Sequence, residues 1–116
     1  MNYKTTADFY KDFKKLLKRF RTLEEDFEIL KKYHIDPFHK NGIPGPLAMP
    51  GFCTDGLRAY KIRKFACKSL KNRGSNSGLR VIYAHNETTQ EIVFIEIYFK
   101  GDQENEDRAR LKKSFS

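Results

Sequence analysis

From Thr6 onward, Phe9, Phe13, Leu16, Leu17 and Phe20 recur at helical intervals, and Lys11, Lys14, Lys15 and Lys18 take the rest of the cylinder. That spacing predicts an amphipathic helix. Thr5 or Thr6 suits its N-cap, and Asp8 lies in the first turn, where the helix dipole favours an anion. A second helix is predicted from Thr22-Leu23-Glu24-Glu25, which has capping-box spacing. Leu23, Phe27, Leu30 and Tyr33 repeat along its apolar face, and Glu28 and Lys32 are placed to pair. Only Arg21 separates the two patterns, so the helices should form a hairpin. The preceding "NYKTT" is a candidate short strand.

Residues 36–56 carry all four prolines and four of the seven glycines, a density of breakers that predicts a long loop without regular structure. After Gly56 the pattern changes to alternation. Residues 57–70 are a candidate strand, and "LRVIYAH" (79–85) and "EIVFIEIYF" (91–99) are β-branched and aromatic. "NETTQ" joins these two at hairpin length. Val93, Ile95 and Ile97 are apolar, and so are Ile92 and Phe94, which predicts a central strand covered on both faces. "DQENED" before "RARLKK" has the charge order of a terminal helix. The expected class is α+β: a helical hairpin on one face of an antiparallel sheet of three to four strands, within one domain spanning 1–116. The other sheet face must then meet solvent or a ligand.

Charge changes this picture. The net charge is +8, and residues 57–100 hold nine basic against three acidic groups. A localised basic field attracts polyanions, and nucleic acid is the commonest of them in a cell. The chemistry of several other classes is missing from the residues. There is no phosphate-loop or dinucleotide motif and no nucleophile elbow, and the histidines do not stand at metal-ligand spacing. No metal and no cofactor are expected. No apolar run reaches the roughly 20 residues of a membrane span. Cys53 and Cys67 make no CxxC pair, and the N-terminus has no apolar secretory core. A cytoplasmic protein is expected.

The stretch "LRAYKIRKFACKSLKNR" (57–73) has seven basic residues and no acidic one. Alternation turns Ile62 inward and Lys61 and Arg63 outward. Burying Leu79, Val81 and Tyr83 turns Arg80 to the outer face, within reach of Lys61 and Arg63 if the two strands pair. Like charges so placed repel. Either a bound phosphate relieves them, with arginine holding it bidentately, or the cations splay into water as a solubilising face.

"RAYKIR", followed by "SGLRVIYAHNETTQEIVFIEIYFKGDQENED", resembles the C-terminal half of the RelE/ParE toxin superfamily, in particular its RelE-like and HigB-like mRNA-cleaving members. Residues 60–63, 78–83 and 98–104 match the family pattern in order, and the element order agrees. The resemblance covers about half the chain. It implies a RelE-like microbial RNase-type fold and the toxin of a type II toxin–antitoxin system. Such a toxin is a metal-independent mRNA endonuclease, acting on the ribosome or free, that inhibits translation and is held by a cognate antitoxin.

Carried over by position, Lys61 and Arg63 match basic active-site positions, and Arg80 matches the phosphate-binding arginine. Lys61 is the candidate base. Where family members carry an arginine after the last strand, this chain has Lys100-Gly101, and their C-terminal tyrosine has no counterpart. Tyr98, Lys100 and His85 are the candidates to fill those roles, and the acid is unassigned. Arg58, Lys64, Lys68, Lys71 and Arg73 are the candidate contacts to RNA backbone. Two other readings remain at this stage: a ParE-like gyrase inhibitor, and an RNA- or partner-binding module without chemistry.

Overall fold

The computed structural model describes residues 1–63, 65–69 and 77–115. The chain runs β1 (Asn2–Thr5), α1 (Ala7–Arg19), α2 (Leu23–Leu30), a π-helical turn (Lys31–Ile35), α3 (Asp36–Asn41), β2 (Leu47–Thr54), β3 (Leu57–Ile62), β4 (Leu79–Asn86), β5 (Glu91–Phe99) and α4 (Arg108–Ser114). The sheet has five strands in the order β1-β5-β4-β3-β2. β1 joins β5 in parallel, and the other pairs are antiparallel. The α+β class holds, with one strand more than expected and one parallel pair.

The N-terminal half forms as its pattern dictates, with two local exceptions. Thr6 caps α1, its hydroxyl accepting from the Phe9 amide at 3.1 Å. Thr22 makes no capping bond to α2. Its hydroxyl donates instead to Asp26 (2.7 Å) and accepts from the Ser69 amide (2.9 Å), which ties residues 65–69 to the helix. The second exception follows from the π-turn. One wide turn after Leu30 rephases the helix, so Ile35 is fully buried and Tyr33 is exposed. Glu28 pairs with Lys31 at 2.7 Å, and Lys32 lies over the Tyr33 ring.

The breaker-rich region is not a loop throughout. Asp36-Pro37 opens α3, with proline where a helix start tolerates it. Gly42 closes it at φ 71°, a left-handed conformation that suits glycine. Residues 47–54 form β2, and its Pro50 is accommodated because β2 is an edge strand with a register shift between Ala48 and Cys53. The expected strand 57–70 ends at Ile62, and Lys64 and Leu70 of that span lie outside the described residues.

Two cores result, one on each face of the sheet. Under α1 and α2, the rings of Phe9, Phe27 and Phe94 meet at centroid distances of 5.6, 5.4 and 4.7 Å. Each such pair contributes about 0.5–1.5 kcal/mol beyond its buried area. On the outer face, Leu111 of α4 packs with Ile82, Ala84, Ile95, Met49 and Phe52. The outer face is therefore partly covered by the chain's own C-terminal segment, where the sequence pattern left it to solvent or a ligand.

One irregularity positions the site. The β4–β5 register jumps from Ile82↔Glu96 to Tyr83↔Phe94, leaving Ile95 as an extra residue in β5. Ile92, Phe94 and Ile97 face the helices, and Ile95 packs into the outer core. Strict alternation from Phe94 would put Tyr98 under the helices. The bulge turns it to the outer face instead. The freed Ile95 carbonyl accepts from Arg110 Nη1 at 3.2 Å.

Candidate phosphate-binding cleft

Three strand ends and one tail segment build the site. Lys61 projects from β3 on the face opposite Tyr60 and Ile62, and Arg63 follows just beyond the strand. On β4, Arg80 stands directly across from Tyr98 of β5. Its Nη1 donates to the Arg63 carbonyl at 2.9 Å and to the Leu79 carbonyl at 3.2 Å. Gly78 sets up this strand start at φ +91°, its carbonyl accepting from the Lys100 amide at 2.8 Å. Lys61 Nζ lies 5.8 Å from the centre of the Tyr98 ring. Lys61, Arg63, Arg80 and Tyr98 thus meet at one end of the outer face.

Beside them, a cleft is lined by Lys61, Arg63, Leu47, Met49, Glu106 and Arg108. Two of these lining residues, Glu106 and Arg108, were missed by the sequence reading. Lys61 Nζ donates to Glu106 Oε1 at 2.7 Å, with the two side chains 11% and 6% exposed. Arg108 Nε stands 3.5 Å from the other carboxylate oxygen. Burial alone would raise the Glu106 pKa, but the hydrogen bond and charge of Lys61 outweigh it and hold the carboxyl below its usual value. Among the described residues, Lys61, Arg63 and Arg108 line this cleft together with the Glu106 carboxylate. The only sequence signal for Glu106 was its place in the acidic run "DQENED", and nothing linked it to a lysine 45 positions earlier.

Tyr98 is 4% exposed, and among the described residues its hydroxyl has no hydrogen-bond partner. A buried phenol left so is costly unless it serves something not yet bound. Chemically, the cluster offers two guanidinium groups for phosphoryl oxygens, an ammonium and a phenolic donor.

The other expected residues fall elsewhere. His85 is buried on the helix-facing side, five positions along β4 from Arg80 and so on the opposite face. Its ring stacks on His39 at 3.8 Å, and Nε2 pairs with Gln90 at 3.1 Å. It belongs to a packed cluster with Tyr60 and Tyr83 and does not reach Arg80. Arg58 shares the face of Tyr60, away from Lys61, with Cys53 and His85 beside it in register. Lys68 is bound to Glu25 of α2 at 2.6 Å. Lys100 is exposed in the turn after β5. Lys64, Lys71 and Arg73 lie outside the described residues. Among those described, no three His, Cys, Asp or Glu side chains are grouped to hold a metal ion. No helix there is long and apolar enough to cross a membrane.

No family model matches the sequence, and no curated protein matches it. Among solved structures, the fold is similar to that of a chain in the archaeal RelE–RelB complex from Pyrococcus horikoshii OT3. The TM-score is 0.51 at 21% identity, over 86% of this chain and 94% of that one. The RelE-like fold expected from the sequence is present.

Proposed function

We propose that the chain is the toxin of a type II toxin–antitoxin pair and acts as a metal-independent mRNA endonuclease. One observation carries the reading. Lys61, Arg63, Arg80 and Tyr98 come from three separate segments, each matching the family pattern, and they converge at one end of the sheet. In this role the ribose 2′-OH of the RNA gives up its proton to solvent and attacks the adjacent phosphorus, forming the O2′–P bond as the P–O5′ bond breaks and the 5′-oxygen takes up a proton. Arg80 and Arg63 stabilise the charge that builds on the phosphoryl oxygens. Lys61, the candidate base from the sequence, lies beside them as a further donor to the phosphate. Tyr98, whose hydroxyl lacks a partner among the described residues, is the group assigned to donate a proton toward the phosphate or leaving oxygen. His85, held on the other face, has no part in the step.

The likeness to a chain of a RelE–RelB complex supports a cognate antitoxin as partner. The basic corner suits mRNA, bound free or on the ribosome. Induced expression should arrest translation and leave cut transcripts, with cleavage unaffected by a chelator. Arg80→Ala should restore growth while leaving the folded protein's far-UV spectrum unchanged. Arrest with intact transcripts would sink the nuclease reading. A DNA-damage response would favour gyrase inhibition, and salt-sensitive RNA binding without cleavage would favour a binding module.

A further inference from the structure

The lysine central to the proposed site is covered. Lys61 is 11% exposed, and what covers it is a carboxylate from the same chain, at 2.7 Å. A carboxylate seated between Lys61 and Arg108 in a cationic corner presents two oxygens much as a phosphate would. A phosphodiester cannot take the same position while Glu106 is there, because two anions would then share one ammonium.

The segment that brings Glu106 to the site is anchored at several points away from it. Asp107 caps α4 by accepting from the Arg110 amide at 3.1 Å. Buried Glu96 accepts from the Asp107 amide and from Gln103, both at 2.8 Å. Arg110 Nη1 bonds Asp12 of α1 at 2.5 Å, and Leu111 is 1% exposed in the outer core. The contact is therefore built in, with a helix cap, an ion pair and an apolar residue holding one carboxylate on one lysine. The connection from β5 passes through Gly101 and exposed residues of a turn, which offers a place to pivot.

We propose that Glu106 is an internal competitor for the phosphate of the substrate. The segment from Asn105 to Phe115 is then an autoinhibitory strap, and the site opens only when Glu106 leaves Lys61. This rests on the reading of the Lys61–Arg63–Arg80 corner as a phosphate site. Among the described residues the buried Tyr98 hydroxyl has no partner, which fits a closed form whose ligand would supply the acceptor. In the open form, Lys61, Arg63 and Arg80 face the phosphate without Glu106 as a counter-ion.

The probe is a short all-deoxy single strand, which presents phosphates but has no 2′-OH and cannot be cut by this chemistry. Its affinity is compared for the wild type, Glu106→Gln and the double variant Arg80→Ala/Glu106→Gln, alongside cleavage of the matching RNA. Glu106→Gln keeps the shape and removes the charge, so binding should tighten by about tenfold or more. That gain should vanish in the double variant. Equal or weaker binding by folded Glu106→Gln overturns the strap, and RNA cleavage by the wild type would then leave the nuclease reading standing. Tighter binding with no cleavage by either protein, of free RNA or of mRNA on ribosomes, upholds the strap and sinks the nuclease. No binding by any form overturns both.

Asp12→Asn gives a second measurement that leaves Lys61 and Glu106 untouched. By loosening the Arg110 anchor it should also tighten binding, and it should speed amide exchange in residues 103–115. If Glu106→Gln does not fold, unchanged affinity in Asp12→Asn overturns the proposal.

Discussion

Lys61 and Glu106 form a buried pair whose value depends on both members being present. Removing one leaves a charge in a place that water barely reaches, which costs about 3–5 kcal/mol, whereas replacing both by apolar groups is often near neutral. Lys61→Ala should therefore destabilise the protein by roughly 3 kcal/mol, and Lys61→Met/Glu106→Leu by much less. Urea titrations of the single and double variants give the coupling directly. Additive losses would show that the pair is not coupled as the 2.7 Å contact requires. Arg80 differs in kind. Its partners are two backbone carbonyls near the surface, so its loss should be felt in phosphate binding far more than in folding.

At the scale of elements, α3 is pinned by a titratable side chain. His39 stacks on His85, and Nε2 pairs with the Tyr83 hydroxyl at 2.8 Å. Burial first, and then the neighbouring His85, lower its pKa to about 4 from 6.5, with Asp36 opposing them. Because the folded state binds this proton less readily than the unfolded chain, the stabilisation is full above about pH 6.5. It is lost as pH falls toward 4. The loss should be on the order of 2 kcal/mol for a partly exposed ring. Thermal melts between pH 7 and pH 4 should show it, and His39→Phe should flatten that limb of the profile. An unchanged slope in the variant would place the acid sensitivity elsewhere.

The π-turn gives a second test at this scale. Ile35→Ala should cost about 2–4 kcal/mol, and Tyr33→Ala less than about 0.5, in equilibrium unfolding. Helical periodicity continued without the turn would have favoured Tyr33 as the buried residue.

For the whole molecule, the sheet divides the chemistry. The helix-facing side holds the aromatic core and the histidine cluster, and the outer side holds the basic corner and the strap. Binding of single-stranded RNA should weaken steeply with salt, by a slope of about 0.7 per phosphate neutralised. Arg80→Ala should lower that slope by roughly one such contact. A slope unchanged by the substitution would mean that the strand binds another basic surface, such as the exposed lysines of α1.

The sequence alone determined what repeats locally. Helical spacing fixed α1 and the start of α2, and β-branched runs fixed β4 and β5. Charge placement picked out Lys61, Arg63 and Arg80, because alternation on two adjacent strands already sets which side chains share a face. What only the tertiary structure decided came from contacts distant in sequence or from breaks in period. The edge position that admits Pro50 in β2 is set by which strand finds no further neighbour. The bulge at Ile95 reverses the parity of β5 and so delivers Tyr98 to the site, while His85 keeps its own parity and stays on the other face. Glu106 meets Lys61 only because α4 folds back over the sheet. No local pattern encodes a pairing across 45 residues, since it depends on how the outer core closes.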